Sequence, residues 1–158
     1  MYLDELRSLK PPEPDKIGSV NYGPLNDKRF QVEPFGPFES VHRLQQILGT
    51  IYVLDRAITA ASSEEEVQWA QKMKEKTWDI RLTHGDLNSY NVLVDKGRIA
   101  AILDWERSGW LPEYYEYTNA CSVAITDQWW RPYMDQILDP YPEALKMDNM
   151  RRDVFTVF

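Results

Sequence analysis

The stretch LTHGDLNSYNVLV, residues 82–94, sets His84, Asp86 and Asn91 within eight positions. It leads into a second element, ILDWE at residues 102–106, which carries Asp104. Between them, the apolar runs Val92-Leu93-Val94 and Ile99 to Leu103 flank Asp95-Lys96-Gly97-Arg98. Gly97 can take the positive φ that a tight two-residue turn requires. The spacing therefore predicts a β-hairpin over about 91–104. With the turn at Lys96-Gly97, Val94 faces Ile99 and Val92 faces Ala101. Asn91 and Asp104 then lie together at the open end, on opposite strands. Asp86 sits in the loop that enters the hairpin, so three oxygen-bearing side chains converge.

A carboxylate and an amide carbonyl are hard oxygen ligands suited to Mg²⁺, which fills its remaining positions with water and phosphate. A further carboxylate nearby can accept a proton from an attacking hydroxyl. Together these are the components of phosphoryl transfer. Taken singly, each residue has a plainer reading: Asp86 as a turn cap, Asn91 as an Asx-turn residue, Asp104 as a cap for the turn after it. His84 is not expected to bind metal, because the chain has 2 His, 1 Cys and no Cys/His cluster.

The totals narrow the field. The 158 residues suit one domain, 1–158. They are 43% hydrophobic and include 6 Trp, 9 Tyr and 5 Phe, enough for a core. A net charge of -7 disfavours binding to nucleic-acid backbones. The single Cys121 allows no intrachain disulfide, which fits a reducing compartment. No run approaches the ~20 apolar residues of a membrane span. The start, MYLDELRSLKPPEPD, has no apolar core of the kind a signal peptide needs. A cytoplasmic protein with no membrane or nucleic-acid partner is expected.

Around the hairpin the chain reads as mostly helical. Tyr2, Leu3, Leu6 and Leu9 share one helical face, and Pro11-Pro12 stop that helix. Residues 10–38 hold six of the ten prolines and three of the seven glycines. They read as a long surface-hugging loop pinned by Tyr22, Phe30, Phe35 and Phe38. Two helices are expected over 39–78. In the first, Val41, Leu44, Leu48 and Ile51 keep the helical rhythm, with Ile47 and Leu54 beside them. The second opens on a capping box, Ser63 with Glu66, and continues along Val67, Ala70 and Met73 towards Trp78. Residues 80–104 hold the polar loop and hairpin. Helices follow over 112–156, the first to about Trp130 and the others at about 132–138 and 141–154. Glu106, Glu113 and Glu116 are candidates for lining an acceptor pocket, or for a solvated acidic face. Trp105, Trp110, Tyr114, Tyr115 and Tyr117 form either core or a stacking platform. Cys121 reads as buried filler.

His84-x-Asp86-x4-Asn91 followed by Asp104 resembles the catalytic loop and metal-binding segment of protein-kinase-like enzymes. The wording HGDLNSYNVLV…ILDWERSGWLPEYYEY is closer still to aminoglycoside phosphotransferase-like and choline-kinase-like small-molecule kinases, and most similar to fungal members. The resemblance extends over nearly the whole chain, including RSLKPP…IGSV…GPF. It implies an α+β, mostly helical C-terminal lobe of the protein-kinase-like fold. It also implies an ATP-dependent transfer of the γ-phosphate to a hydroxyl of a small molecule, with GTP as the other possible donor. Asp86 would be the catalytic base, and Asn91 and Asp104 would hold Mg²⁺ on the nucleotide phosphates. His84 would brace the loop. Tyr90 stands where many relatives carry a basic residue; Arg98 or Arg107 is expected to supply that charge.

The family's N-terminal lobe supplies a phosphate-covering loop, a strand lysine and its glutamate partner. Before residue 82, Gly18, Gly23, Gly36 and Gly49 form no G-x-G-x-x-G. Lys10, Lys16 and Lys28 all lie in the proline-rich stretch. The expectation is a C-terminal lobe alone, whose first helix begins outside the chain and whose open face above Asp86 and Asp104 is covered by an N-terminal lobe or a partner chain. Little or no turnover is expected from the isolated chain. The alternatives are a non-catalytic, kinase-derived binding or scaffold protein and a truncated gene product.

Overall fold

A computed structural model describes residues 2–27, 35–48, 64, 68, 71, 75–123 and 129–155. Its elements are α1 (Tyr2–Ser8), β1 (Gly18–Ser19), α2 (41–48), β2 (Ile80–Thr83), β3 (Val92–Asp95), β4 (Arg98–Ile102), β5 (Gly109–Pro112), α3 (Tyr115–Val123), α4 (Arg131–Ile137) and α5 (Pro142–Phe155). Short 3-10 turns at Ser89–Asn91 and Trp105–Arg107 lead into and out of the hairpin.

The hairpin forms as β3 and β4, and both turn residues are left-handed, with φ 48° at Lys96 and 75° at Gly97. That geometry matches the twist of the paired strands. Val94 pairs with Ile99, but the register shifts between Leu93 and Val94. Leu93 then faces Ala101, and Val92 faces Ile102 rather than Ala101. A bulge of one residue is invisible to side-chain alternation alone. Its consequence is local: Val92 and Ile102 both pack against the buried cluster that contains Leu87 and Met134. Leu93, Val94 and Ile99 of the hairpin are exposed.

A second sheet departs from the sequence expectation. β5 pairs antiparallel with β1 on one side and β2 on the other. Gly109–Pro112 carries a Gly and a Pro, which usually mark turns rather than strands. Here the Pro ends the strand, opposite Ile80. The stretch 10–38 is correspondingly more than a surface loop. Gly18–Ser19 forms the edge strand, and Ile17, Leu25 and Phe38 are buried in the core. Backbone bridges Ile17–Phe38 and Leu25–Phe35 hold it there. Phe30 lies outside the described residues.

The helices follow the predicted order, and the last two lie within one residue of the predicted 132–138 and 141–154. α1 buries Leu3, with Leu6 packed beside it, while Tyr2 and Leu9 are exposed. α2 starts after Ser40, whose Oγ accepts the Arg43 N–H at 3.1 Å as an N-cap. Leu44 and Leu48 face the core, with Val41 and Ile47 packed against it; Ile51 and Leu54 lie outside the described residues. Glu64, Gln68, Gln71 and Glu75 are helical and exposed, as one polar helical face should be. The Ser63–Glu66 box and Val67, Ala70 and Met73 lie outside the described residues. Trp129 and Trp130 form a turn, so the helix after Pro112 does not run to Trp130.

Two buried clusters meet along α3. Tyr114 and Tyr115 join Ile17, Leu44, Ile80 and Leu111 on one side, while Tyr117, Ala120 and Cys121 join Leu3, Leu87 and Met134 on the other. Trp110, Tyr114, Tyr115 and Tyr117 are therefore core, with Trp78 edge-on to Tyr114 at 4.8 Å. Trp105 is the exception, 40% exposed beside the polar loop. Cys121 is buried, and burial pushes its thiol up to about 11, which keeps it protonated and unreactive at neutral pH. Among the described residues no helix is long and apolar enough to cross a membrane.

Candidate active site

The loop from His84 to Asn91 is held from below and within. Leu87 is 2% exposed and anchors it in the second cluster. Burying such a side chain stabilises by about 1.5–3 kcal/mol. Its neighbours Asp86 and Asn88 are part-buried on the other side of the loop. Asn88 caps the 3-10 turn: its Oδ1 accepts the Tyr90 and Asn91 N–H groups at 2.9 and 3.2 Å. Its Nδ2 donates to the Asp86 carbonyl and to Asp86 Oδ1, both at 3.2 Å.

His84 is fully buried and both ring nitrogens are engaged by backbone. Nδ1 accepts the Asp86 N–H at 3.2 Å, so the ring proton sits on Nε2, which donates to the Leu103 carbonyl at 2.8 Å. The ring thus ties the loop to the chain just before Asp104. Trp105 packs edge-on against it at 4.6 Å. Neither nitrogen is free for a metal.

Glu116 completes the support. It lies in the first turn of α3, 1% exposed, and accepts the N–H groups of His84 at 2.6 Å and Gly85 at 3.2 Å. Burial pushes its carboxyl up from the ordinary 4.5, against the opposing pull of those donors, His84 and Arg7. Its expected place at an acceptor pocket is therefore corrected: the carboxylate is spent inside the protein. Glu113 is also engaged, accepting the Asp79 N–H at 3.3 Å and the Tyr141 hydroxyl at 3.2 Å. Of the three acids, Glu106 alone is exposed beside the loop, 4.0 Å from Arg107 Nε.

Gly85 has φ +81°, and a Cβ there would run into the carbonyl oxygen of Arg107. The loop and the segment after Asp104 are thus in backbone contact that only glycine permits. Arg107 Nη1 lies 3.2 Å from Asp86 Oδ1, both side chains being largely buried. Arg98 stands at the far end of the hairpin, opposite Asp95. Arg107, not Arg98, brings positive charge to the loop.

At the mouth of the hairpin, the Leu103 N–H donates to the Asn91 carbonyl at 2.8 Å. Asn91 Nδ2 donates to the Asp86 carbonyl at 2.9 Å, which fixes the amide and leaves Oδ1 without a partner among the described residues. Asp104 is exposed, in the left-handed region at φ 62° and ψ 66°, and its side chain makes no capping bond. A non-glycine residue held there costs of order 1 kcal/mol and is characteristic of functional positions. An unpartnered amide oxygen and an unpartnered carboxylate are the donor set that Mg²⁺ with phosphate takes. Among the described residues no group of three or more His, Cys, Asp or Glu side chains could hold a metal alone.

Sequence reasoning misses Asn88 and Gly85. The signal for Asn88 is an Asx-turn residue between Asp86 and Asn91. The clash that requires Gly85 comes from Arg107, which is distant in sequence.

Comparison with known proteins bears on the same segment. The model of the phosphotransferase enzyme family matches residues 31–151. Hygromycin-B 4-O-kinase of Escherichia coli is 32% identical over 85 residues, covering 52% of this chain and 22% of that protein. The chain thus spans less than a quarter of the length of this relative. No solved structure matches it. The family match takes in the His84–Asn91 loop, both hairpin strands and the helix that carries Glu116; the chain belongs to the aminoglycoside phosphotransferase-like family of phosphotransferases.

Proposed function

We propose that this chain carries the catalytic base and metal ligands of an ATP-dependent kinase that phosphorylates a hydroxyl of a small molecule. The observation that carries this is the pairing of two unpartnered oxygen donors, Asn91 Oδ1 and the Asp104 carboxylate, beside a carboxylate held by its neighbours. Mg²⁺ held there would neutralise charge on the nucleotide phosphates. Asp86 would take the proton of the acceptor hydroxyl as its oxygen attacks the γ-phosphorus. His84, Asn88 and Glu116 hold the loop in place.

The relative's name describes a kinase that acts on a 4-hydroxyl of hygromycin B. An aminoglycoside or another polyhydroxylated metabolite is the acceptor class this supports here. Glu106, exposed beside the loop, would attract an amine on such a substrate. The phosphate-covering loop and strand lysine of the fold would come from a further segment of the same protein or from a partner. The isolated chain would turn over slowly or not at all, because the nucleotide would be clamped from one side.

The Asp104→Asn variant tests the metal assignment. Asn tolerates the left-handed backbone, so the substitution removes charge without adding strain. The native protein should then need more Mg²⁺ for half-maximal activity and show a lower kcat. An unchanged Mg²⁺ dependence would remove Asp104 from the metal site.

A further inference from the structure

We infer that Arg107 is a positioning residue for the transfer step, acting through Asp86. The inference rests on the proposed phosphotransferase reading and assigns a role within it. Asp86 Oδ1 is held twice, by Arg107 Nη1 at 3.2 Å and Asn88 Nδ2 at 3.2 Å. Asp86 Oδ2 has no hydrogen-bond partner among the described residues. Both contacts fall on the same oxygen, which restrains the carboxylate and leaves Oδ2 as the oxygen without a described partner. Oδ2 is then the atom that receives the proton.

The step balances on that atom. The acceptor hydroxyl oxygen bonds to the γ-phosphorus of a nucleoside triphosphate. Its proton passes to Asp86 Oδ2. The bond from the γ-phosphorus to the bridging oxygen breaks, and the nucleoside diphosphate leaves.

Arg107 is itself well placed for this. Its side chain is 14% exposed, against 13% for Asp86, so the pair is shielded from solvent. Its backbone carbonyl sits against Gly85, so it cannot shift without moving the loop. Its Nε is buried without a hydrogen-bond partner, with Glu106 Oε1 4.0 Å away. The stem is therefore enclosed, and of the two described ionic contacts of the guanidinium the one with Asp86, at 3.2 Å, is the shorter. The contact is an ion pair, and at 3.2 Å between two largely buried groups the attraction is screened less than at the surface.

Two measurements test this. In the native protein, Arg107→Gln should lower kcat about 10- to 100-fold, the scale of a misplaced reacting group, with the acceptor KM changed much less. Arg107→Lys should recover part of the loss. In an Asp86→Asn background, Arg107→Gln should have no further effect, because its role runs through that carboxylate. An equal loss in both backgrounds, or no loss in either, overturns the inference. The second measurement needs no turnover. The side-chain amide signals of Asn88, observed by NMR in this chain, should move in Arg107→Gln and return towards their original positions in Arg107→Lys. Unmoved Asn88 signals in Arg107→Gln contradict the inference whatever the enzyme assay gives. Absence of transfer by the native protein, with the Asn88 shifts present, would instead count against the phosphotransferase reading.

Discussion

Replacing Asp86 with Asn should lower kcat of the native protein about 10²–10⁴-fold, the usual contribution of a positioned general base. Asn keeps the size of the side chain. Its amide oxygen can still accept from Asn88 Nδ2, so the loop keeps that contact. The backbone bonds that hold the loop, from Asn91 Nδ2 to the Asp86 carbonyl and from the Asp86 N–H to His84, do not involve the side chain. The expected signature is thus a large loss of rate with acceptor KM nearly unchanged, together with a lowered Tm, because the largely buried Arg107 loses its ionic partner. Side-by-side kinetics and thermal melts of the two proteins check it. A variant that keeps more than about a tenth of the rate would show that the hydroxyl needs no base at this position.

The second large effect is on stability. Glu116→Ala would leave the His84 and Gly85 N–H groups buried without acceptors, and would open a cavity under the loop. Each unsatisfied buried donor costs about 1–3 kcal/mol, so a total loss of about 2–6 kcal/mol is expected for the two. For a chain of this size that is roughly 4–24 °C in Tm. Glu116→Gln keeps one acceptor oxygen and should cost less. The two variants also separate the ionic part. A carboxyl whose folded-state pKa is raised by burial binds its proton more tightly in the folded chain than in the unfolded one. Its contribution is complete below the ordinary 4.5 and is lost as pH rises through the folded value. The stability advantage of the wild type over Glu116→Gln should therefore shrink as pH rises from 4.5. Denaturant titrations at several pH values read it directly. An advantage that grows with pH would mean that the two N–H donors outweigh burial.

Glu116 also shows where sequence reading stops. An acid in the first turn of a helix looks solvated, because such acids favour the positive helix end at the surface. What makes this one buried is the docking of α3 beneath a loop 31 and 32 residues earlier in the chain. No local pattern carries that information. The hairpin, in contrast, was legible, because Lys96-Gly97 and the flanking apolar runs are local signals for a tight turn. Its bulge was not, since one extra residue leaves the alternation almost intact. The three-stranded sheet was hidden for a related reason. β1 has 2 residues, and β2 and β5 have 4 each, too short for a period to register. β5 also reads as a turn from its Gly and Pro. The loop itself was legible because the chemistry of metal-assisted transfer demands particular side chains in close sequence. Their supports, Arg107, Gly85 and Glu116, are distributed, and only the fold assembles them.

The most direct measurement is phosphoester formation by the native protein with Mg²⁺-ATP and a panel of aminoglycosides and other polyols, followed by phosphorus NMR. A new phosphate monoester signal that depends on Mg²⁺ and on the acceptor is the predicted result, with the isolated chain giving little or none. ATP left intact under every acceptor, or converted only to inorganic phosphate, would contradict small-molecule phosphotransfer as the function of this site.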